Sequence, residues 1–163
     1  MRTRAAAITC VSLALLAGGC GGDDDSGGGP TRDEFIAEVD GLCEDANAEL
    51  SKLREEQQQL DPQNNPEDLD KLASLFEQAK EQSDPVVDKM ADVEPPPEMR
   101  AAYGRLLSAY EQQVALIGRT SDALKQRDAA ALQQLGSKMN TTQAKARGLA
   151  HGLGFKVCGT GGG

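Results

Sequence analysis

From Ile36 to Leu53 the apolar positions Ile36, Val39, Cys43, Ala46, Leu50 and Leu53 recur at steps of three and four, the repeat of one face of an α-helix. The same phase returns three more times. A second stripe runs through Leu69, Leu72, Phe76, Ala79, Ser83, Val86 and Met90. A third holds Met99, Tyr103, Leu106, Tyr110, Val114, Ile117 and Leu124, and a fourth Leu132, Leu135, Met139, Thr142, Ala146, Leu149 and Leu153. Aromatic residues are few, with no Trp, two Tyr and three Phe, and Leu, Ala, Glu, Gln and Lys dominate. These are good helix formers, and the β-branched and aromatic runs that mark strands are missing.

The stripes are punctuated by start and stop signals. Thr31-Arg32-Asp33-Glu34 is a capping box, so helix 1 should begin there and run to about Gln59. Asn65 followed by Pro66, Glu67 and Asp68 offers a cap, a proline at the first helical position and acids at the positive dipole end. The second stripe passes through Pro85 without losing phase, which predicts a helix kinked there or split into two halves. Pro95-Pro96-Pro97 ends it, helix 3 should close near Arg127, Asp128 caps helix 4, and Gly152 and Gly154 stop it. Four amphipathic helices on short connections bury their stripes most economically as an all-α, up-down-up-down four-helix bundle over residues 31–158.

Ahead of the bundle the composition changes twice. Arg2 and Arg4 lead an apolar stretch from Ala5 to Ala17 and then small residues, the layout of an export signal over residues 1–19. That stretch is short for a membrane span, and no later segment approaches the roughly eighteen consecutive apolar residues one requires. Residues 20–30 follow with Gly, Asp and Ser and nothing to bury, which predicts a flexible tether. Asp23-Asp24-Asp25 lacks the fixed geometry of a cation site and reads as a solvated spacer. The chain carries a formal charge of −9, and removal of Arg2 and Arg4 with the leader would make it −11. A surface of that sign repels phosphate backbones, so nucleic acid is not an expected partner.

Leu16, Ala17, Gly18, Gly19 and Cys20 resemble the bacterial lipoprotein signal, whose cysteine receives a diacylglycerol and becomes the new N-terminus. The resemblance implies a membrane anchor on Cys20. The usual pattern has Leu three residues before the cysteine, where this chain has Ala17, and that departure leaves open cleavage after Gly19 without a lipid. Cysteine arithmetic bears on the choice. Cys10 leaves with the leader, and an acylated Cys20 leaves Cys43 and Cys158 as an even pair, suited to an oxidising exterior.

The bundle topology gives that pair a geometry. Cys43 sits on the inward stripe about eleven residues, or roughly 16 Å, up helix 1. The segment from Gly154 to Cys158, turning at the glycines and climbing extended at about 3.3 Å per residue, covers a similar distance. A Cys43–Cys158 disulfide would close a loop of roughly 115 residues and contribute about 4.7 kcal/mol on the chain-entropy estimate. Residues 159–163, Gly-rich, are expected to form a frayed tail.

Chemistry is conspicuous by what is missing. A di-iron site needs Glu-x-x-His on two helices, and the only histidine, His151, has Gly148 three residues before it. There is no zinc-ligand spacing and no Cys-x-x-Cys-His for covalent haem. A haem held by His151 and Met99 fits poorly, because His151 lies in a glycine-flanked last turn. One histidine cannot complete a triad, and the 26 acids, interleaved with Lys, Arg and Gln, read as solvated helix faces. No metal, no cofactor and no enzymatic activity are expected. The remaining candidate is a thin layer at mid-bundle, where Cys43, Ala46, Thr142 and Ala146 are small and Phe76, Tyr103 and Tyr110 approach from helices 2 and 3. It is either ordinary small-to-large packing or a slot for a small apolar ligand with phenols as polar handles.

With these residues placed, the chain resembles a broad group of small actinobacterial lipoproteins to which no activity is assigned. The resemblance rests on Phe35-Ile36, Leu42-Cys43 and Ala46-Asn47-Ala48 in helix 1 and on Gly154-Phe155-Lys156-Val157-Cys158-Gly159 at the far end. It implies an envelope location on the extracytoplasmic face of the cell membrane, a helical bundle and one disulfide. The functional expectation is a lipid-anchored binding or interaction module with a protein partner in the envelope; the alternative is a carrier or sensor of a small hydrophobic ligand in the bundle core.

Overall fold

The computed structural model describes residues 29–160; the leader, the acylation at Cys20 and nearly all of the tether expected from the sequence lie outside them, as do residues 161–163. Four helices follow one another: α1 (Arg32–Gln58), α2 (Glu67–Asp92), α3 (Arg100–Lys125) and α4 (Ala129–Leu153). They form an up-down-up-down bundle, and no described residue is in a strand. None of the helices is long and apolar enough to cross a membrane.

The ends are held by the side chains the sequence placed there. At α1 the Thr31 N–H donates to Glu34 Oε2 at 2.9 Å and the Glu34 N–H donates to Thr31 Oγ1 at 3.3 Å, a reciprocal capping box. The Thr31 contacts hold the Glu34 carboxyl below its usual range. Asn65 Oδ1 accepts from the Glu67 N–H at the start of α2, and Asp128 Oδ1 accepts from the Ala131 N–H at the start of α4. Gly154, at φ +92°, turns the chain off α4 in the left-handed region, while Gly152 is still helical. α2 is one uninterrupted helix through Pro85, whose ring faces solvent. It is not split there.

Packing runs from neighbour to neighbour. α1 lies on α2, α2 on α3 and α3 on α4, but the backbones of α1 and α4 do not approach each other. Cys43 and Ala146 belong to the same buried cluster, but α1 and α4 are held apart along that seam by the segment after α4. Phe155 is buried against Phe35 of α1 and Tyr103 of α3, with centroids 5.7 and 6.2 Å away, and Phe35 and Tyr103 meet edge to face at 4.8 Å. On its other side Gly159 lies against Ala150 and Arg147 of α4.

Two buried clusters result. The larger lies at the end of the bundle holding Thr31 and Gly154 and includes Phe35, Val39, Met90, Tyr103, Leu106, Ala150 and Phe155. The smaller gathers Leu116, Ala123 and Leu135 near the α3–α4 connection. Ser121, 1 % exposed, ties α3 to α2 by donating to the Ala73 carbonyl at 2.9 Å.

A strap and a cleft between two cores

Residues 155–158 form a strap, and its anchor is an acid. The Asp40 carboxylate accepts from three successive backbone amides, Lys156 (2.8 Å), Val157 (2.9 Å) and Cys158 (3.2 Å). Charged acceptors of amide hydrogens are among the stronger hydrogen bonds a fold can make. Cys158 is disulfide-bonded to Cys43, one turn along α1, across a Cα–Cα distance of 5.1 Å. Its carbonyl accepts from the Tyr110 hydroxyl at 2.7 Å, so α1 and α3 both grip the same residue. The segment climbs bent rather than extended, with a turn closed by the Thr160 N–H donating to the Val157 carbonyl. Three amides converging on one carboxylate require that curvature.

The strap fills the α1–α4 gap only as far as Cys158. Beyond it, between the two buried clusters, is a cleft of about 300 Å³. The disulfide and Met90 form its floor; Leu50 and Arg54 of α1, Phe76, Ala79 and Val86 of α2, Tyr110 and Val114 of α3 and Met139 of α4 are among its walls. The volume is at the small end of the range for small-molecule sites.

Of the residues singled out from the sequence for the mid-bundle layer, Cys43, Ala46, Phe76 and Tyr110 line the cleft. Tyr103 and Thr142 do not. Tyr103 is one layer below, packed on Phe35 and Phe155 with its hydroxyl donating to the Met90 carbonyl at 2.6 Å. Its phenol is spent on the core. Thr142 lies half-buried on α4, and the α4 residues that reach the cleft are Met139 and Gln143. Cys20 is outside the described residues.

Three features of the site were not picked out in advance. Asp40 follows Ile36 by four residues and precedes Cys43 by three, so it shares their phase, and an acid on an inward stripe was the available signal. Asn47, Arg54 and Gln57 continue that phase from Cys43 and put polar groups on the cleft wall. Gln113 of α3 does the same from the opposite side.

Neither buried phenol is poised to exchange a proton near neutral pH. Burial, reinforced by the Asp40 charge, pushes the Tyr110 phenol up to about 12. Burial does the same to Tyr103, with the neighbouring Tyr110 adding to it. Both phenols stay neutral at physiological pH and both hydroxyls are engaged with backbone carbonyls. Met99 is buried in the larger core and His151 is exposed on α4. Among the described residues no group of three or more His, Cys, Asp or Glu side chains is placed to hold a metal ion. What the arrangement can do is enclose something apolar. Comparisons with protein families, with curated proteins and with solved structures each find no match to this chain.

Proposed function

We propose that this chain is a lipid-anchored binding module of the cell envelope that holds a small hydrophobic molecule between its two cores and catalyses no reaction. The cleft of about 300 Å³ carries the reading: all four helices wall it, its lining is mainly apolar, and the fold leaves it unfilled where a bundle of this size would ordinarily pack side chains. Support for the location comes from the lipobox-like Leu16–Cys20 stretch and from the disulfide, a bond suited to an oxidising compartment. A carrier needs a donor and an acceptor, so the envelope protein partner is the molecule that loads or unloads the cleft.

Native mass spectrometry of the protein purified from its own host tests this. A co-purifying small-molecule mass is expected, and the variant Ala79→Trp, which puts an indole into the cleft, should lose it. A bare polypeptide mass, together with no saturable fluorescence gain by the apolar probe 1-aminoanthracene, would overturn the proposal. Intact mass of the membrane fraction before and after reduction checks the anchor and the disulfide together: a diacylglyceryl adduct on Cys20, and uptake of the hydrogens of one cleaved S–S bond.

A further inference from the structure

The cleft of a strongly acidic protein has one charged residue in its lining, and that residue is a cation. Among the described residues that line it there is no Asp or Glu, and the single charge is Arg54. Arg54 is half-buried and, among the described residues, has neither an ion-pair nor a hydrogen-bond partner. On a helix an arginine pairs with acids three or four residues away. Those positions around Arg54 are Leu50, Ser51, Gln57 and Gln58, while Glu55 and Glu56 sit at spacings that point elsewhere. A half-buried arginine with no acidic neighbour on its helix face has five donors to offer an anion that enters the cleft.

The shape of the cleft narrows the choice of anion. Its α1 wall runs from Cys43 to Gln57, fourteen steps at about 1.5 Å, or about 21 Å. The cleft is thus elongated for its volume of about 300 Å³. An unbranched alkyl chain laid along that wall fits such a cleft. Arg54 is near the end remote from the disulfide floor, so a chain can lie on Val86, Tyr110 and Val114 with its head at the guanidinium.

We infer that the ligand is a single-chain fatty acid, its alkyl chain in the cleft and its carboxylate held by Arg54. The planar guanidinium matches a carboxylate in a two-pronged pair. This inference rests on the reading of the cleft as a hydrophobic-ligand site and adds the head group to it.

Calorimetric titration of the purified full chain at pH 8, with ligands kept below their micellar concentrations, tests it. The probes are dodecanoate, dodecanol and dodecyltrimethylammonium. Dodecanoate should bind about tenfold to a hundredfold more tightly than dodecanol, as one charge-assisted contact predicts, and the cationic probe most weakly. Arg54→Gln should abolish the preference for the acid and Arg54→Lys should keep part of it, while Arg105→Gln, an exposed site outside the cleft, should leave dodecanoate affinity unchanged. Equal affinity for acid and alcohol, tighter binding of the cation, or a preference that survives Arg54→Gln in a variant with wild-type helicity would overturn the inference and leave the apolar carrier standing. Binding of none of the three would overturn both.

Discussion

Asp40 does for the strap what a strand partner does in a sheet: it satisfies three amides of a segment that belongs to no helix. Replacing it with Ala leaves those amides facing a half-buried seam, and loss of charged hydrogen bonds of this kind should lower stability by about 3 kcal/mol. Urea unfolding should show an earlier midpoint, and hydrogen exchange at Lys156–Cys158 should lose its protection. Tyr110 makes a second residue-scale statement. Its pKa is raised in the folded state, so the folded protein retains the phenolic proton to higher pH than the unfolded chain does. The resulting stability is complete below pH 10 and is lost as pH rises from 10 towards about 12. With only two tyrosines in the chain, absorbance at 295 nm should show neither titrating at the ordinary position, and Tyr110→Phe should flatten the alkaline fall in stability while costing about 1 kcal/mol at neutral pH.

Among the elements, the α3–α4 connection is the tightest. Arg127 takes φ +54°, left-handed backbone that a side chain disfavours, while the Asp128 N–H reaches back to the Ala123 carbonyl at 2.9 Å. Arg127→Gly should raise the thermal midpoint, adding about 0.5–1 kcal/mol, with far-UV circular dichroism unchanged. Helix bounds of this kind were legible from the chain because they are local. Thr31 with Glu34, Asn65 before Pro66 and Asp128 each meet amides within three residues of themselves, and no tertiary context is needed to see them. The strap's conformation was not legible, because what bends residues 155–158 is a carboxylate about 116 residues earlier. The layers that Tyr103 and Thr142 occupy were not legible for a related reason. Periodicity says which residues face inward, but their layer depends on how α1 and α4 are spaced, and that spacing is set by the strap.

For the whole molecule, the decisive fact is that the bundle is a row of helices whose two margins are joined by something other than helix packing. Cys158→Ser removes a cross-link spanning 115 positions and should cost about 4–5 kcal/mol on the chain-entropy estimate. Its urea midpoint should fall well below the wild type's, with most helical signal retained in water because α2, α3 and their shared contacts do not depend on the bond. The disulfide was legible at this scale from the count and position of cysteines, and the cleft was legible only as a choice between packing and void. There is also a consequence in time. Asp40 and Cys43 are made early, and the groups that close on them come more than a hundred residues later, so a polypeptide emerging N-terminus first from a ribosome cannot lock its first helix until the far segment is out. The order of synthesis thus keeps the nascent molecule pliable through most of its emergence and reserves the final latch for its last steps.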